Sequence, residues 1–315
     1  MGTLNILFLG GAKRVSLAKH LKKCGDSIGV GINIISYELE DKLPIAFVAK
    51  VIIGLKWNDK KIISDLQRVI SDEHINVVLP FVDPAILIAA QLKILCPDLF
   101  IPVSEISICQ TMFDKLLAAE WFHENKIPQP DFYTDIDDIH YPVILKPRTG
   151  SASKGISVCS GRKELPTNVL SKYLIQSYIK NPIEISVDCY VAKGGEILSV
   201  VPRIRLSTLG GEAVKSQTLR DKAIIDLSCK ILLLGNFRGP ITIQFLKDEN
   251  GKLYVMEINP RLGGGVVTSI GAGSGILSML IGEALQLDVE PKWDWKDKTI
   301  MVRYFQEVIF YADNN

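Results

Sequence analysis

Residues 257–261 read Glu-Ile-Asn-Pro-Arg, and they predict the end of a β-strand that carries polar side chains on one face. Glu257 and Asn259 share that face because strand side chains alternate with a period of two. Gln244 lies on the preceding strand of a predicted hairpin, where it can face both. One carboxylate and two amide oxygens suit a hard, oxygen-seeking ion such as Mg²⁺. Arg261 follows on the same face, where a phosphoryl group would need a planar cation.

The alternative for these residues is a polar sheet face that is open to water. Pro260 and the three glycines at residues 263–265 argue against it, because they predict a sharp, close-packed end to the strand.

A second candidate group begins at residues 143–146, a predicted buried strand that ends on Lys146. A lysine there loses hydration free energy unless an anion meets it. The next segment, residues 148–155, reads Arg-Thr-Gly-Ser-Ala-Ser-Lys-Gly. Backbone N–H groups of such a small-residue loop can wrap phosphate oxygens, with Lys154 closing over them. A flexible, solvated hairpin is the alternative.

The first 105 residues predict a parallel βα domain. A strand at residues 5–9 ends in Gly10-Gly11, and a helix follows that Gly25 closes. Further strands are predicted at residues 32–36, 77–79 and 99–101, with a helix at residues 85–95 that has Asp83 as N-cap and Pro84 as its first residue. The Gly10-Gly11 turn can cradle a phosphate, but a plain tight βα turn is the alternative.

The rest of the chain predicts two further domains, at residues 106–180 and 181–315. A helical segment spans residues 104–126, and from residue 141 short strands alternate with turns, as is typical of an antiparallel α+β fold. Hairpin turns are predicted at residues 193–196 and 248–251. The predicted strands are at residues 143–146, 155–159, 173–179, 184–191, 197–201, 241–246 and 253–258.

Composition excludes several classes of protein. The 315 residues contain 36 Lys and Arg and 35 Asp and Glu, so the net charge is +1 and no electrostatic excess favours a nucleic acid partner. The chain has no basic leader and no apolar stretch long enough to cross a membrane, so no membrane association is expected. Six scattered cysteines predict reduced thiols and a cytoplasmic location.

Six features in register resemble the ATP-grasp superfamily, and most closely its carbamoyl-phosphate-synthase-like branch. They are Lys115, Lys146 with its loop, residues 175–179 (Ile-Gln-Ser-Tyr-Ile), residues 184–188 (Glu-Ile-Ser-Val-Asp), Gln244 and residues 257–261. Residues 5–11 and 80–84 resemble the βα domain that precedes the ATP-grasp unit in that branch. The resemblance implies a mixed α/β and α+β protein, with an ATP-grasp fold preceded by a Rossmann-like parallel βα domain.

The resemblance also implies roles for single residues. Lys115 and Lys146 would hold ATP phosphates, and the loop with Ser151, Lys154 and Gly155 would close over them. Glu184 would contact the ribose. The hinge strand, which reads the adenine edge, would be Gln176, Ser177, Tyr178 and Ile179, with Gln176 where many relatives carry a glutamate. Gln244, Glu257 and Asn259 would bind two Mg²⁺ ions, or Mn²⁺ in their place. Arg261, with Lys146 and Lys154, would be catalytic and would steady the transferred phosphoryl group.

Cations between Glu184 and the metal-binding hairpin lie where relatives often place substrate contacts, namely Arg203, Arg205, Lys215 and Arg220. A substrate carboxylate would need at least one of them. A solvated surface charge is the alternative for each.

The expected function is that of an ATP-dependent carboxylate–amine or carboxylate–thiol ligase that works through an acyl phosphate and releases ADP and phosphate. One alternative is a carbamoyl-phosphate-synthase-type component that phosphorylates bicarbonate. Another is an ATP-binding protein without catalytic activity. The expected partners are a small-molecule carboxylate and an amine, and a second copy of the chain is a candidate partner in a homodimer.

Overall fold

The computed structural model describes residues 2–150 and 154–311. Its N-terminal part is a four-stranded parallel sheet with the strand order β3-β2-β1-β4. The elements of this part are β1 (Thr3–Leu9), α1 (Val15–Ser27), β2 (Gly31–Glu38), β3 (Lys50–Ile53), α2 (Ile62–Asp72), β4 (Val77–Pro80) and α3 (Asp83–Leu95). The predicted parallel βα arrangement is therefore present.

Three local predictions in this part were wrong. Gly25 does not end α1 but lies inside it, where a Cβ would come within 2.4 Å of the Ile32 side chain, so the glycine allows the helix to approach the sheet. Asp83 is the first residue of α3 rather than its cap, and Val82 takes the cap position. Residues 99–101 form only an isolated bridge, between Phe100 and Val77.

The predicted helical segment at residues 104–126 divides into two helices. They are α4 (Ile106–Phe113) and α5 (Lys115–Glu124). Asp114 separates them because its carboxylate accepts hydrogen bonds from the backbone N–H groups of Leu116 and Leu117, at 2.9 and 3.4 Å. This satisfies donors that the start of α5 would otherwise leave unpaired.

An antiparallel four-stranded sheet follows, with the strand order β5-β8-β6-β7. Its elements are β5 (Phe132–Tyr133), β6 (Val143–Pro147), β7 (Ser157–Cys159), α6 (Val169–Lys172) and β8 (Tyr173–Ser177). The loop that the sequence suggested for phosphates joins β6 to β7.

The last part is an antiparallel six-stranded sheet with the order β13-β12-β9-β10-β11-β14. Turns join β9 to β10 and β12 to β13, as predicted. Sequence analysis did not identify β11, β14 or α7. The elements are β9 (Ile183–Val191), β10 (Ile197–Leu209), β11 (Glu212–Thr218), α7 (Lys222–Leu234), β12 (Gly239–Lys247), β13 (Leu253–Asn259), α8 (Val267–Gly271), α9 (Ile276–Ala284) and β14 (Ile300–Val302).

The N-terminal and C-terminal parts share one apolar core. Leu17 and Leu21 of α1 pack in the same cluster as Leu277 and Leu280 of α9. This packing fixes the parallel sheet against the six-stranded sheet and brings the turn after β1 close to β11. Among the described residues, no helix combines the length and the hydrophobicity that a bilayer crossing requires.

Candidate active site

A cavity of about 610 Å³ lies between the antiparallel four-stranded sheet and the six-stranded sheet. Most of the residues singled out from the sequence line it, although they come from distant parts of the chain. Those lining it are Lys115, Lys146, Lys154, Ser177, Tyr178, Ile179, Glu184, Arg205, Gln244, Glu257 and Arg261. Its volume suits a small-molecule ligand. We call it the first cavity.

Lys146 ends β6 and is 5% exposed. Its Nζ donates a hydrogen bond of 2.8 Å to Oε1 of Gln176 on the neighbouring strand. Burial lowers the pKa of Lys146 to about 8, the Glu257 carboxylate opposes that shift, and the positive charge of Lys115 adds to it. The ammonium group of Lys146 is therefore hydrogen-bonded to a neutral amide, and an anion in the cavity would stabilise its positive charge.

Two contacts connect the start of α5 to the loop after β6. Lys115 Nζ donates to the carbonyl oxygen of Gly150 at 2.7 Å. Arg148 forms a two-pronged ion pair with Asp114, at 2.9 and 2.6 Å. Gly155, between the lining residues Lys154 and Ile156, has a φ of +74°. Ser151 lies outside the described residues.

Of the four residues predicted for the hinge strand, three line the first cavity and one is buried. Ser177, Tyr178 and Ile179 line the first cavity. Gln176 does not: it is 2% exposed, and its amide oxygen is engaged by Lys146. Where a glutamate would give that lysine an ion pair, glutamine leaves the positive charge available to a ligand.

Glu184 lies at the cavity wall in an ion pair with Arg205, with 2.7 Å between Oε2 and Nη1. Burial lowers the pKa of Arg205, and the Glu184 carboxylate opposes that shift. Arg205 thus orients the carboxylate for which the resemblance implies contact with the ribose.

The proposed metal ligands lie on β12 and β13. Gln244 is directly opposite Glu257 in the hairpin register, as predicted, and Asn259 is opposite Thr242. Asn259 is buried and does not line the first cavity, and its Oδ1 accepts from Arg261 Nη2 at 3.2 Å.

These donors fit a metal ion that a phosphorylated ligand helps to hold. Within residues 2–150 and 154–311, no group of three or more His, Cys, Asp or Glu side chains could bind a metal alone. Glu257 would supply the charged oxygen and Gln244 a neutral one. Mg²⁺ commonly completes its coordination with water and phosphate oxygens.

Arg261 connects this site to the N-terminal part. Its Nη2 lies 3.4 Å from Oδ1 of Asp83, at the start of α3. Its buried Nε has no hydrogen-bond partner among the described residues.

The predicted substrate cations have three different environments. Arg203 is buried in an ion pair with Asp188, at 2.7 Å, and borders a second cavity. Lys215 is exposed on β11 and lines neither cavity. Arg220 stacks on Trp295 at 4.0 Å and donates to backbone carbonyls of the C-terminal segment, so it also lies outside both cavities.

The second cavity, of about 640 Å³, adjoins the first, and the two share Arg205, Gly211, Gln244 and Arg261 in their linings. It lies between the turn after β1, the β10–β11 hairpin and the glycines at residues 263–265. Sequence analysis missed several residues that line it, namely Lys13, Arg14, Glu212 and Arg303. The position of Lys13 and Arg14 in the turn after β1, separated from Gly10-Gly11 by Ala12 alone, was the available signal.

Comparison with known proteins agrees with this geometry. Residues 170–308 match a family model described as "ATP-grasp in the biosynthetic pathway with Ter operon". The 2-oxoglutarate carboxylase small subunit of Hydrogenobacter thermophilus is 26% identical over 40% of this chain and 30% of its own length. The carbamoyl phosphate synthase large chain of Clostridium perfringens is 31% identical over 38% of this chain and 13% of its own. The chain thus matches less than a third of either relative.

A longer match is to N5-carboxyaminoimidazole ribonucleotide synthase of Staphylococcus aureus, which is 26% identical over 74% of this chain and 64% of its own length. Among solved structures, the biotin carboxylase domain dimer of the Hydrogenobacter enzyme, in complex with MgADP, ADP and bicarbonate, has a TM-score of 0.74 at 17% identity, over 94% of this chain and 73% of that one. An L-amino acid ligase from Bacillus licheniformis has a TM-score of 0.67 at 17% identity, over 90% and 74%.

Two antiparallel sheets enclose a cavity lined by lysines and by the carboxylates of Glu184 and Glu257, and a parallel sheet precedes them in the chain. The family-model match and these relatives support the ATP-grasp superfamily and its carbamoyl-phosphate-synthase-like branch, in agreement with the resemblance found in the sequence.

Proposed function

We propose that this chain is an ATP-dependent, ADP-forming ligase that activates a carboxylate as an acyl phosphate and joins it to an amine. The observation that carries the proposal is the convergence of Lys115, Lys146, Glu257 and Arg261 on the first cavity. Three cations and one carboxylate in a sheltered site suit a metal-bound triphosphate. The N-terminal part would be the Rossmann-like domain of the branch, with domains at residues 1–105, 106–180 and 181–315.

The roles of the residues follow from their places. Lys115 and Lys146 would neutralise phosphate oxygens, with Lys154 over them, and Arg261 would stabilise charge on the transferred γ-phosphoryl group. The adenine would lie against Ser177, Tyr178 and Ile179, and the ribose beside Glu184. Glu257 and Gln244, with Asn259 behind them, would hold Mg²⁺, which supplies further charge neutralisation when bound.

The reaction would have two steps. A carboxylate oxygen of the acid attacks the γ-phosphorus, the bond to the β-phosphate oxygen breaks, and ADP leaves. The amine nitrogen then attacks the acyl carbon, phosphate leaves, and the amine loses a proton. The protein's contribution is to position the reactants, neutralise charge and exclude water.

Phosphorylation of bicarbonate is the second candidate. It is favoured by the similarity to a structure that contains bicarbonate together with MgADP. A thiol in place of the amine is a variant of the first candidate, and an ATP-binding protein without turnover is the remaining alternative. A homodimer is also a proposal, and size-exclusion chromatography with light scattering would measure it.

An ADP-release screen tests the proposed function. Purified protein with Mg-ATP is offered small carboxylates with amines, bicarbonate with ammonia, or neither, and Glu257→Gln serves as the inactive control. With an acid that is a substrate, hydroxylamine in place of the amine should give a hydroxamate. An ¹⁸O label in the carboxylate should appear in the released phosphate. Stoichiometric AMP, or ADP release that no acid or bicarbonate stimulates, would overturn the proposal.

A further inference from the structure

The second cavity carries more positive than negative side chains. The cations that line it are Lys13, Arg14, Arg203, Arg205, Arg261 and Arg303, whereas the acids that line it are Asp83 and Glu212. Since like charges repel in a sheltered site, such an excess requires either further carboxylates nearby or an anionic ligand.

Arg261 pairs with Asp83 at 3.4 Å, and two further arginines have carboxylates of their own. Arg203 pairs with Asp188, which is 2% exposed and also accepts from Ser269. Arg205 pairs with Glu184 at the boundary with the first cavity. Neither arginine therefore contributes much uncompensated charge.

Arg14 and Arg303 instead share one carboxylate. Arg14 Nη1 lies 3.0 Å from Oε1 of Glu212, and Arg303 Nη2 lies 3.8 Å from Oε2 of the same group. Arg303 also donates from Nε to the carbonyl of Ala213 at 2.9 Å, which fixes its direction. One negative charge thus faces two guanidinium groups, with Lys13 close enough to act on Glu212 as well.

Two buried guanidinium nitrogens at the second cavity lack hydrogen-bond partners among the described residues. Nε of Arg14 and Nε of Arg261 are both buried without a hydrogen-bond partner in the part of the chain that the structure describes. Burial lowers the pKa of Arg14, the Glu212 carboxylate opposes this shift, and the positive charges of Arg261 and Arg303 lower the pKa further. An anion that accepted hydrogen bonds here would relieve both the desolvation and the repulsion.

The cations are also divided in space. Arg261 borders both cavities, so an anionic group beside it adjoins the proposed phosphoryl position. Arg14 and Arg303 border the second cavity alone. About 640 Å³ is room for an organic acid and more than a single-carbon anion requires.

We propose that the acid substrate carries two anionic groups: a carboxylate at Arg261 that is activated, and a second carboxylate or phosphate held by Arg14 and Arg303. This inference rests on the proposed function, because it names the substrate class of that same site. The second anion would select the acid and orient its reactive carboxylate toward the nucleotide.

Calorimetry tests the inference without turnover. The protein is first saturated with a non-hydrolysable ATP analogue and Mg²⁺, and then titrated with succinate, glutarate or 3-phosphoglycerate. Butyrate, valerate and glycerate are the matched acids with one anionic group. We expect at least one dianion to bind about tenfold or more tighter than its matched acid, because its second anionic group gains a charge-assisted contact. The affinities for succinate and glutarate, compared with that for 3-phosphoglycerate, show whether the second anionic group is a carboxylate or a phosphate.

Variants locate the second anion. Arg14→Met and Arg303→Met should each weaken binding of the dianion about tenfold or more, with the affinity for the ATP analogue as in the parent protein. Arg303→Lys keeps the charge and should bind more tightly than Arg303→Met. Arg68→Met, on the exposed face of α2, is the matched control and should leave the dianion affinity unchanged.

Different failures identify different errors. If the ATP analogue binds and no dianion binds more tightly than its matched acid, the two-anion inference is overturned while the ligase proposal stands. Equal loss of dianion and single-anion binding in Arg14→Met and Arg303→Met also overturns the inference. Failure of the ATP analogue to bind overturns the proposed function itself.

Discussion

Nζ of Lys146 donates a 2.8 Å hydrogen bond to Oε1 of Gln176, diagonally across the β6–β8 pairing. The partner of this buried ammonium is thus a neutral amide rather than a carboxylate. A neutral partner orients the lysine without cancelling its charge. The arrangement prepares a positive charge for an incoming anion, at a desolvation cost that appears as a lowered pKa.

The first prediction concerns the pH dependence of ATP binding. The pKa of Lys146 is about 8 without ligand, and phosphates would raise it, so binding should take up a proton above that pH. Affinity should therefore be highest below pH 8 and fall, by up to about tenfold per pH unit, as the pH rises beyond it. Calorimetry between pH 7 and 9.5 measures this. Lys146→Arg, charged throughout, should show no such fall, whereas a flat profile for the parent protein would contradict the prediction.

The second prediction concerns Glu257→Gln. The change preserves size and one oxygen but removes the only charged ligand proposed for the metal. Phosphoryl transfer should fall by at least about 100-fold, because metal charge stabilisation is worth several kcal/mol, while ATP affinity changes far less. Initial rates of ADP formation and a parallel ATP titration give the two values. Glu249→Gln, in the exposed turn before β13, is the control. Parent-like turnover in Glu257→Gln would exclude the metal assignment.

The third prediction concerns the buried ion pair of Asp188 and Arg203. Asp188→Ala leaves the Arg203 guanidinium buried without its carboxylate, and should lower the free energy of unfolding by about 3–5 kcal/mol. Asp226→Ala breaks an exposed pair with Lys222 and should cost less than about 1 kcal/mol. Urea denaturation compares them. Similar losses of unfolding free energy in the two variants would show that the buried ion pair contributes no more to stability than the exposed one.

The fourth prediction concerns Gly25→Ala. Alanine in the middle of a helix normally stabilises by about 1 kcal/mol relative to glycine. At Gly25 the new Cβ would lie 2.5 Å from the carbonyl oxygen of Val30, which belongs to the backbone and cannot rotate away. We expect a loss of about 1–3 kcal/mol in unfolding free energy. Gly271→Ala at the end of α8, with nothing within 4 Å, should cost nothing. A more stable Gly25→Ala protein would refute this close packing.

The two cavities differ in how far the sequence could predict them. The opposition of Gln244 and Glu257 follows from a short hairpin, whose turn sets the register of its strands. The contact of Arg14 with Glu212 joins residues 198 positions apart and depends on how the N-terminal and C-terminal parts of the chain pack. Nothing in local periodicity encodes such a distance, so the first cavity was predictable and most of the second was not.

The strand β11 was missed for a related reason. Its buried positions include Ser216 and Thr218, which are hydrogen-bonded to Thr268 and to the carbonyl of Lys296. A strand buried with polar side chains lacks the apolar alternation by which strands are recognised. These residues become suitable for burial only through hydrogen-bond partners on α8 and in the segment before β14, which later parts of the chain contribute.

The position of Arg303, directly after β14, has a consequence for synthesis of the protein on the ribosome. The parallel sheet uses residues 3–80, and the elements of the first cavity end near Arg261, so both can assemble while translation continues. The edge strand β14 pairs with β11 only after the intervening residues have emerged. A nascent chain would thus form its nucleotide cavity before the second cavity receives its last arginine.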